Sequence, residues 1–268
     1  MTRLTRIRTV FRLRIEAVEP YEYQTLFEFE SFYWWYKALH LVLLDTLESL
    51  GLPLDTRILD AGCGTGQNLA NIVEHITSNV YGFDLSEHAA AFWSKRNLER
   101  MCVASINEIP FASKTFQAVV SIDVMECEQV KEAEAYSELW RVLKPGGYMV
   151  LVVPAYDWLI DKEHHRAVRA VRRYSKSKLL SLLSTRPMEL MRITHLFGSV
   201  LPAVACRRFA SKLFSGDGMD PPRSDLKPFN PILNHLLFKL VSMERRLVRK
   251  FDIPFGSSIM AVARKIGE

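Results

Sequence analysis

Ile58-Leu59-Asp60-Ala61-Gly62-Cys63-Gly64-Thr65-Gly66 decides how this chain is read. A short apolar run, Arg57–Ala61, gives way to three glycines at alternate positions, and helical spacing follows over Asn68–Thr77. Strand, glycine turn and helix in that order form the place where open α/β sheets bind ligands. Gly62, Gly64 and Gly66 let the backbone take positive φ and approach a ligand closely. A dinucleotide fingerprint needs its third glycine at position 67, which is Gln67, and a Walker loop needs a Gly-Lys-Ser/Thr that is absent. Asp60 repels phosphate and suits a ligand with a positively charged end. Asp84 follows Asp60 at the end of the next strand candidate, where an acid can accept both ribose hydroxyls of a nucleoside.

Outward from this loop, Val80–Asp84, Ala118–Ile122, Tyr148–Val153 and Ile259–Ala263 are further apolar runs of strand length. Helical patterns separate them: one or two helices in 20–50, Ser86–Arg100 with Ser86 as N-cap, and Val130–Leu143, stopped by Lys144-Pro145-Gly146-Gly147. Fully apolar strands alternating with helices predict a parallel α/β sheet with both faces covered. After Pro154, residues 155–178 turn polar, and Pro221, Pro222, Pro228 and Pro231 mark a loop over 216–231. Ile232–Phe251 reads as an amphipathic helix, apolar at 233, 236, 237, 240, 241, 247 and 248. An apolar stripe at helical spacing ordinarily belongs to a core.

With 268 residues, 49% hydrophobic and 24% charged, the chain has material for a sizeable core. Its longest charge-free apolar stretch worth testing, Thr194–Cys206, is too short for a spanning helix of about 18–20 residues. The net charge of +5 is unevenly placed. Arg3, Arg6, Arg8, Arg12 and Arg14 precede the first acid, Glu16, and residues 195–250 carry ten basic and four acidic side chains. The body between is acidic, which argues against a nucleic-acid grip. Cys63, Cys102, Cys127 and Cys206 are scattered, with no CxxC and no metal-site spacing, so no metal is expected. Residues 1–19 lack the apolar run of a secretory signal and read as a basic surface arm. A cytoplasmic protein is the expectation, peripheral contact with a membrane through the basic C-terminal third being the variation on it.

These residues together resemble the class I S-adenosylmethionine-dependent methyltransferases with a methyltransferase type 11 core. The resemblance is carried by Leu59–Gly66, Gly82-Phe83-Asp84-Leu85-Ser86, Ile109-Pro110-Phe111, Thr115-Phe116 and Trp140–Gly147, in family order over about residues 55–155. Upstream, Phe32-Tyr33-Trp34-Trp35-Tyr36-Lys37 is similar to the aromatic helix start that covers the cofactor in such proteins. The resemblance implies a Rossmann-like open, mostly parallel seven-stranded sheet with helices on both faces. It divides the chain into a basic arm (1–19), a helical lid (20–54), a cofactor-binding core (55–155), and an acceptor cap that completes the fold (156–268).

By the same resemblance, Asp60, Ala61, Gly62, Cys63, Gly64 and Gly66 hold the methionine end of S-adenosyl-L-methionine, with Asp60 toward its ammonium. Asp84 holds the ribose and Leu85 packs on adenine. Ser105 and Ile106 stand at the adenine edge, where Ser105 replaces the usual acid. Asp123 falls beside the transferable methyl. The Glu-His pair expected next is Glu126-Cys127 here, which removes a family-type histidine from that position.

Methyl transfer from a sulfonium is an in-line displacement, so the protein mainly aligns donor and acceptor and excludes water. A base is needed where the acceptor must lose a proton. His164 or His165, in Tyr156–Arg166, is suited to that task. The same stretch also reads as a solvated charged loop. The expected acceptor is a small or lipid-linked organic molecule, with no nucleic acid as partner. Two other readings stay open: a catalytically silent cofactor-binding or interaction protein, supported by Ser105 and Cys127, and an NAD-dependent oxidoreductase, opposed by Gln67.

Overall fold

The computed structural model describes residues 20–160, 169–214 and 230–267. The basic arm, the histidines His164 and His165 and most of the proline-bearing loop lie outside the described residues. Seven strands form one sheet: β1 (Ile58–Ala61), β2 (Val80–Asp84), β3 (Met101–Val103), β4 (Phe116–Ile122), β5 (Leu143–Pro154), β6 (Met188–Leu196) and β7 (Ser258–Lys265). Their order is β3-β2-β1-β4-β5-β7-β6. β1 to β5 run parallel, and β7 is antiparallel to both its neighbours. The order reverses between β1 and β4, so the crevice for a ligand opens at the carboxyl ends of those strands.

The apolar strands are explained by what covers them. Ile58, Val80, Val120, Val150 and Val262 point to one face, and Leu59, Phe83, Val119, Leu151 and Ala261 to the other, each within a buried cluster. The first face is covered by α2 (Trp34–Ser49), α3 (Gln67–His75) and α4 (Glu87–Trp93), the second by α5 (Glu132–Val142) and α6 (Lys176–Leu183). Both sides of each central strand are therefore apolar, as a parallel sheet requires. α1 (Pro20–Phe29) precedes α2, while α7 (Leu201–Phe214) and α8 (Pro231–Val248) lie between β6 and β7 in sequence.

Several expectations are corrected. The helix begun by Ser86, whose hydroxyl accepts from His88 N as an N-cap should, ends at Trp93, and a 3-10 turn reaches Arg96 before Asn97 takes φ 56°. The Pro-Gly stop after α5 belongs to β5, which starts at Leu143 with a register irregularity opposite Phe116–Ala118. β3 and β6 are strands that hydrophobic periodicity misses, because both lie at sheet edges with exposed side chains such as Val103, Leu190 and Met191. α8 is capped by Asn230, whose side chain accepts from Ile232 N and Leu233 N. Of its apolar positions, Val241 and Val248 are buried and Leu237 packs on the core, whereas Leu233, Leu236, Leu240 and Leu247 face outward.

Candidate cofactor and acceptor site

The glycine loop leaves β1 with φ 82° at Gly62, 53° at Gly64 and 88° at Gly66. A Cβ on Gly62 would stand 2.4 Å from Val124 Cγ2, and one on Gly66 2.5 Å from Leu98 Cδ1. At Gly64 the nearest atom would be Leu26 Cδ2 at 3.5 Å, so the middle glycine faces open space below α1. The loop is tied to β2 by Gly62 N and Cys63 N, both donating to Phe83 O at 2.9 Å.

A clamp that sequence patterns do not announce holds its outer side. Trp93 Nε1 donates to Gly64 O at 2.9 Å and Arg96 Nε to Thr65 O at 3.1 Å. Buried Glu30, just past α1, accepts from the Thr65 hydroxyl and from Arg96. Gln67, which breaks the dinucleotide pattern, accepts from the same arginine. Lid, loop and α4 are thus joined through one guanidinium.

Two carboxylates flank the loop. Asp60, 1% exposed at the end of β1, has neither oxygen engaged in a hydrogen bond among the described residues. Burial pushes its pKa up to about 7, the Asp84 charge adds to the push and Asn68 opposes it. Asn68 is thus a donor nearby but not in full hydrogen-bond geometry, and a buried carboxylate so weakly met is costly unless a cation or better donor joins it. Asp84, by contrast, accepts from Gly64 N (2.9 Å), Ser86 N (3.0 Å) and Tyr23 Oη (3.0 Å). Burial raises its pKa, while these three donors hold it down.

Between the sheet and the lid lies a cavity of about 480 Å³. Gly62, Cys63, Gly64, Asp84, Leu85, Ser105, Ile106 and Asp123, all expected at the site from sequence, line it. Asp60, Ala61 and Gly66 sit behind that lining in β1 and the loop. Ser105 Oγ accepts from Asn107 N at 3.2 Å, making a local turn, and the buried Ile106 lies next to it. Asp123 has φ 51°, an uncommon conformation for a residue other than glycine, and its amide donates to Val152 O at 3.0 Å. Burial pushes its carboxyl up to about 7, with the Arg173 charge opposing.

Besides the aromatic run read from sequence, the other half of the cavity is lined by residues that sequence does not single out, His40 and Arg208 among them. Tyr33, Trp34, Trp35 and Tyr36 wall it from the lid, with His40 one turn further along α2. Burial lowers the His40 pKa to about 4, so its imidazole is neutral. Glu126, 5% exposed, has Oε2 without a hydrogen bond, and burial together with the Asp123 charge pushes its pKa well up. Arg173 and Arg208 complete the lining. Arg172 is turned away, donating to Met125 O and Val130 O, both at 2.9 Å, as a brace. The one sequence signal for this half was the aromatic run 32–37; the burial of single acids leaves no local pattern. Cys63 and Cys127 line the cavity as thiols whose pKa values burial raises, so neither is an activated nucleophile. Among the described residues, no group of three His, Cys, Asp or Glu is placed to hold a metal ion.

The arrangement fits a nucleoside ligand with a cationic end: Asp84 for paired hydroxyls, the buried charge of Asp60 just behind the lining for a cation, and the glycine loop for close approach. Comparison with known proteins agrees. Residues 59–151 match the family model described as "Methyltransferase domain". Over 131 residues the chain is 31% identical to 24-methylenesterol C-methyltransferase 3 of Arabidopsis thaliana, covering 44% of this chain and 35% of that one. The chain thus spans about a third of the length of this curated relative. Among solved structures, geranyl diphosphate C-methyltransferase from Streptomyces coelicolor A3(2) is similar at TM-score 0.53 and 18% identity, over 82% of this chain and 76% of that one. The cyclase SpnF is similar at TM-score 0.51 and 19% identity, over 83% and 81%. At these identities the structural likeness establishes the fold.

Proposed function

We propose, from the match of residues 59–151 to the methyltransferase domain model and from the strand order of the sheet, that the chain binds S-adenosylmethionine and methylates an apolar, small or lipid-linked acceptor. The observation that carries the reading is Asp60, a buried carboxylate with both oxygens unmatched, set beside a three-glycine loop and a second carboxylate, Asp84. Asp60 meets the cofactor's ammonium, Asp84 its ribose hydroxyls, Leu85 and Ile106 its adenine faces, and Ser105 the adenine edge.

When bound, S-adenosylmethionine supplies a methyl group on a sulfonium, a leaving group that needs no further activation. The chain's own residues then align and dry the reaction. Tyr33, Trp34, Trp35 and Tyr36 close the cavity from the lid and give an acceptor an apolar wall. Where the acceptor gives up a proton, Asp123 takes it, since a carboxyl raised to about 7 is a stronger base than an ordinary carboxylate and still ionises near neutral pH. His164 and His165 remain candidates for the same role. The names of the two C-methyltransferases similar to this chain give a sterol and a prenyl diphosphate as their acceptors, which supports the apolar class.

Calorimetric titration with S-adenosylmethionine, S-adenosylhomocysteine and NAD, followed by labelled-methyl transfer to sterol and prenyl acceptors, tests the proposal. Binding of the two sulfur ligands and transfer to one acceptor class support it. Folded protein that ignores both sulfur ligands overturns it. Binding without any transfer favours a silent binder, a reading made concrete by the cyclase on the same fold.

A further inference from the structure

α8 has three faces, and among the described residues one of them packs on the core. Leu237, Val241 and Val248 join the core cluster that includes α2, Arg245 pairs with Asp45, and buried Glu244 accepts from Gly198 N and Ser199 N at 2.9 and 2.7 Å. Beside that face runs a second apolar stripe at three- and four-residue spacing that the described residues leave largely exposed. Leu233, Leu236, Leu240, Met243 and Leu247 are 41–63% exposed, and Phe251, just past the helix, is 63% exposed. Scattered exposed apolar residues are normal, whereas a continuous stripe along one helix marks an interaction surface.

The third face selects the partner. Lys239, Arg246 and Lys250 are exposed and lie along the next face, while Arg249 pairs with Asp45 on the protein side and the one acid of the helix, Glu244, is buried. An apolar stripe edged by cations is the pattern of a helix lying in a lipid interface, and the cations then face anionic headgroups. A second copy would need acids to answer this charge, and the helix exposes none.

We propose that α8 docks this protein on an anionic lipid surface, with Leu236, Leu240, Met243 and Leu247 in the acyl boundary and Lys239 and Arg246 at the headgroups. Asn234, in the first turn of α8, accepts from Trp34 N at 2.9 Å and donates to Phe32 O at 3.0 Å. The docking helix is therefore bonded to the junction of α1 and α2, where the aromatic wall of the cavity begins. A lipid-borne acceptor would arrive beside that wall. Docking itself does not depend on the methyl-transfer reading.

Co-sedimentation of the full chain with vesicles of phosphatidylcholine alone, or mixed with phosphatidylglycerol, tests the proposal. We expect binding to the mixed vesicles that weakens with added salt. Lys239→Gln with Arg246→Gln should weaken it roughly 30-fold, each cation being worth about fivefold at an anionic surface. Leu236→Gln with Met243→Gln should abolish it, and circular dichroism with thermal melting of the same variants confirms that they are folded. Absence of vesicle binding by folded protein, or binding indifferent to both variants, overturns the proposal. So does a concentration-dependent dimer that the apolar variant dissolves while vesicles are ignored, which would assign the stripe to a second copy. Failure of methyl transfer with docking intact would strike only the proposed activity.

Discussion

Tyr23 Oη donates a 3.0 Å hydrogen bond to Asp84 Oδ1, latching the first lid helix onto the carboxylate at the end of β2. Burial, and behind it the Asp84 charge, raise the tyrosine's pKa far above its ordinary value, so it remains a donor at all working pH. The same carboxylate holds Gly64 N of the glycine loop. One acid thus joins lid and loop at the edge of the cavity in which the cofactor is proposed to bind.

Tyr23→Phe removes a buried bond to a charged acceptor and leaves the ring's packing in place. We expect a loss of about 1.5–3 kcal/mol of stability, as for other hydrogen bonds to charged groups. Denaturant unfolding of the two proteins measures it, and unchanged stability would mean that the latch contributes nothing.

Asp84→Ala removes the acceptor for ribose as well as for the latch. The cofactor should bind more weakly by about 1.5–3 kcal/mol, or roughly ten- to more than a hundredfold in Kd. Calorimetric titration with S-adenosylhomocysteine reads the difference directly.

Asp60 makes the free protein and its complex respond oppositely to pH. Its folded pKa, about 7, lies above the unfolded value of about 3.9. The folded state therefore holds the proton more tightly, and the stability this gives, full below pH ~4, is lost as pH rises toward 7. Asp60→Asn should flatten that part of the melting-temperature profile. A bound ammonium favours the carboxylate, so cofactor binding near pH 6 should release protons from the wild-type protein. Titration in buffers of different ionisation enthalpy detects the release, which should shrink in Asp60→Asn.

Gly62 and Gly64 should fail differently. Gly62→Ala places a methyl group against Val124 at a positive φ, and overpacking of this kind costs about 1–3 kcal/mol before backbone strain is added. Gly64→Ala meets only Leu26 at ordinary contact distance, so it should cost about 1–2 kcal/mol, from left-handed strain alone. Gly64→Val should fold yet exclude the cofactor by bulk. Melting curves and cofactor titration on the three variants separate the effects.

Much of the site could be read in the sequence because its signals are local. Alternate glycines report required φ values, and an acid at a strand end reports the carboxyl edge of a sheet; Asp84, Leu85, Ser105, Ile106 and Asp123 do line the cavity. Glu30, His40 and Arg208 were not legible. Each is an isolated polar residue whose role comes from partners far away in sequence, such as Thr65 and Arg96 for Glu30. β3 and β6 were missed for a related reason: an edge strand buries too little to impose a pattern on its residues.

The sequence by itself determined the sheet of apolar strands, the glycine loop and the place of the two carboxylates, since strand period, glycine φ and short spacings act within a few residues. Tertiary structure alone decided which groups are buried and what they meet. It left Asp60 without a hydrogen bond, gave Asp84 three donors, and raised the Asp123 pKa by enclosing it. It also turned half of the α8 apolar pattern outward. A hydrophobic stripe records only that a helix face avoids water; whether protein or lipid takes the water's place depends on which neighbours the whole fold brings to it.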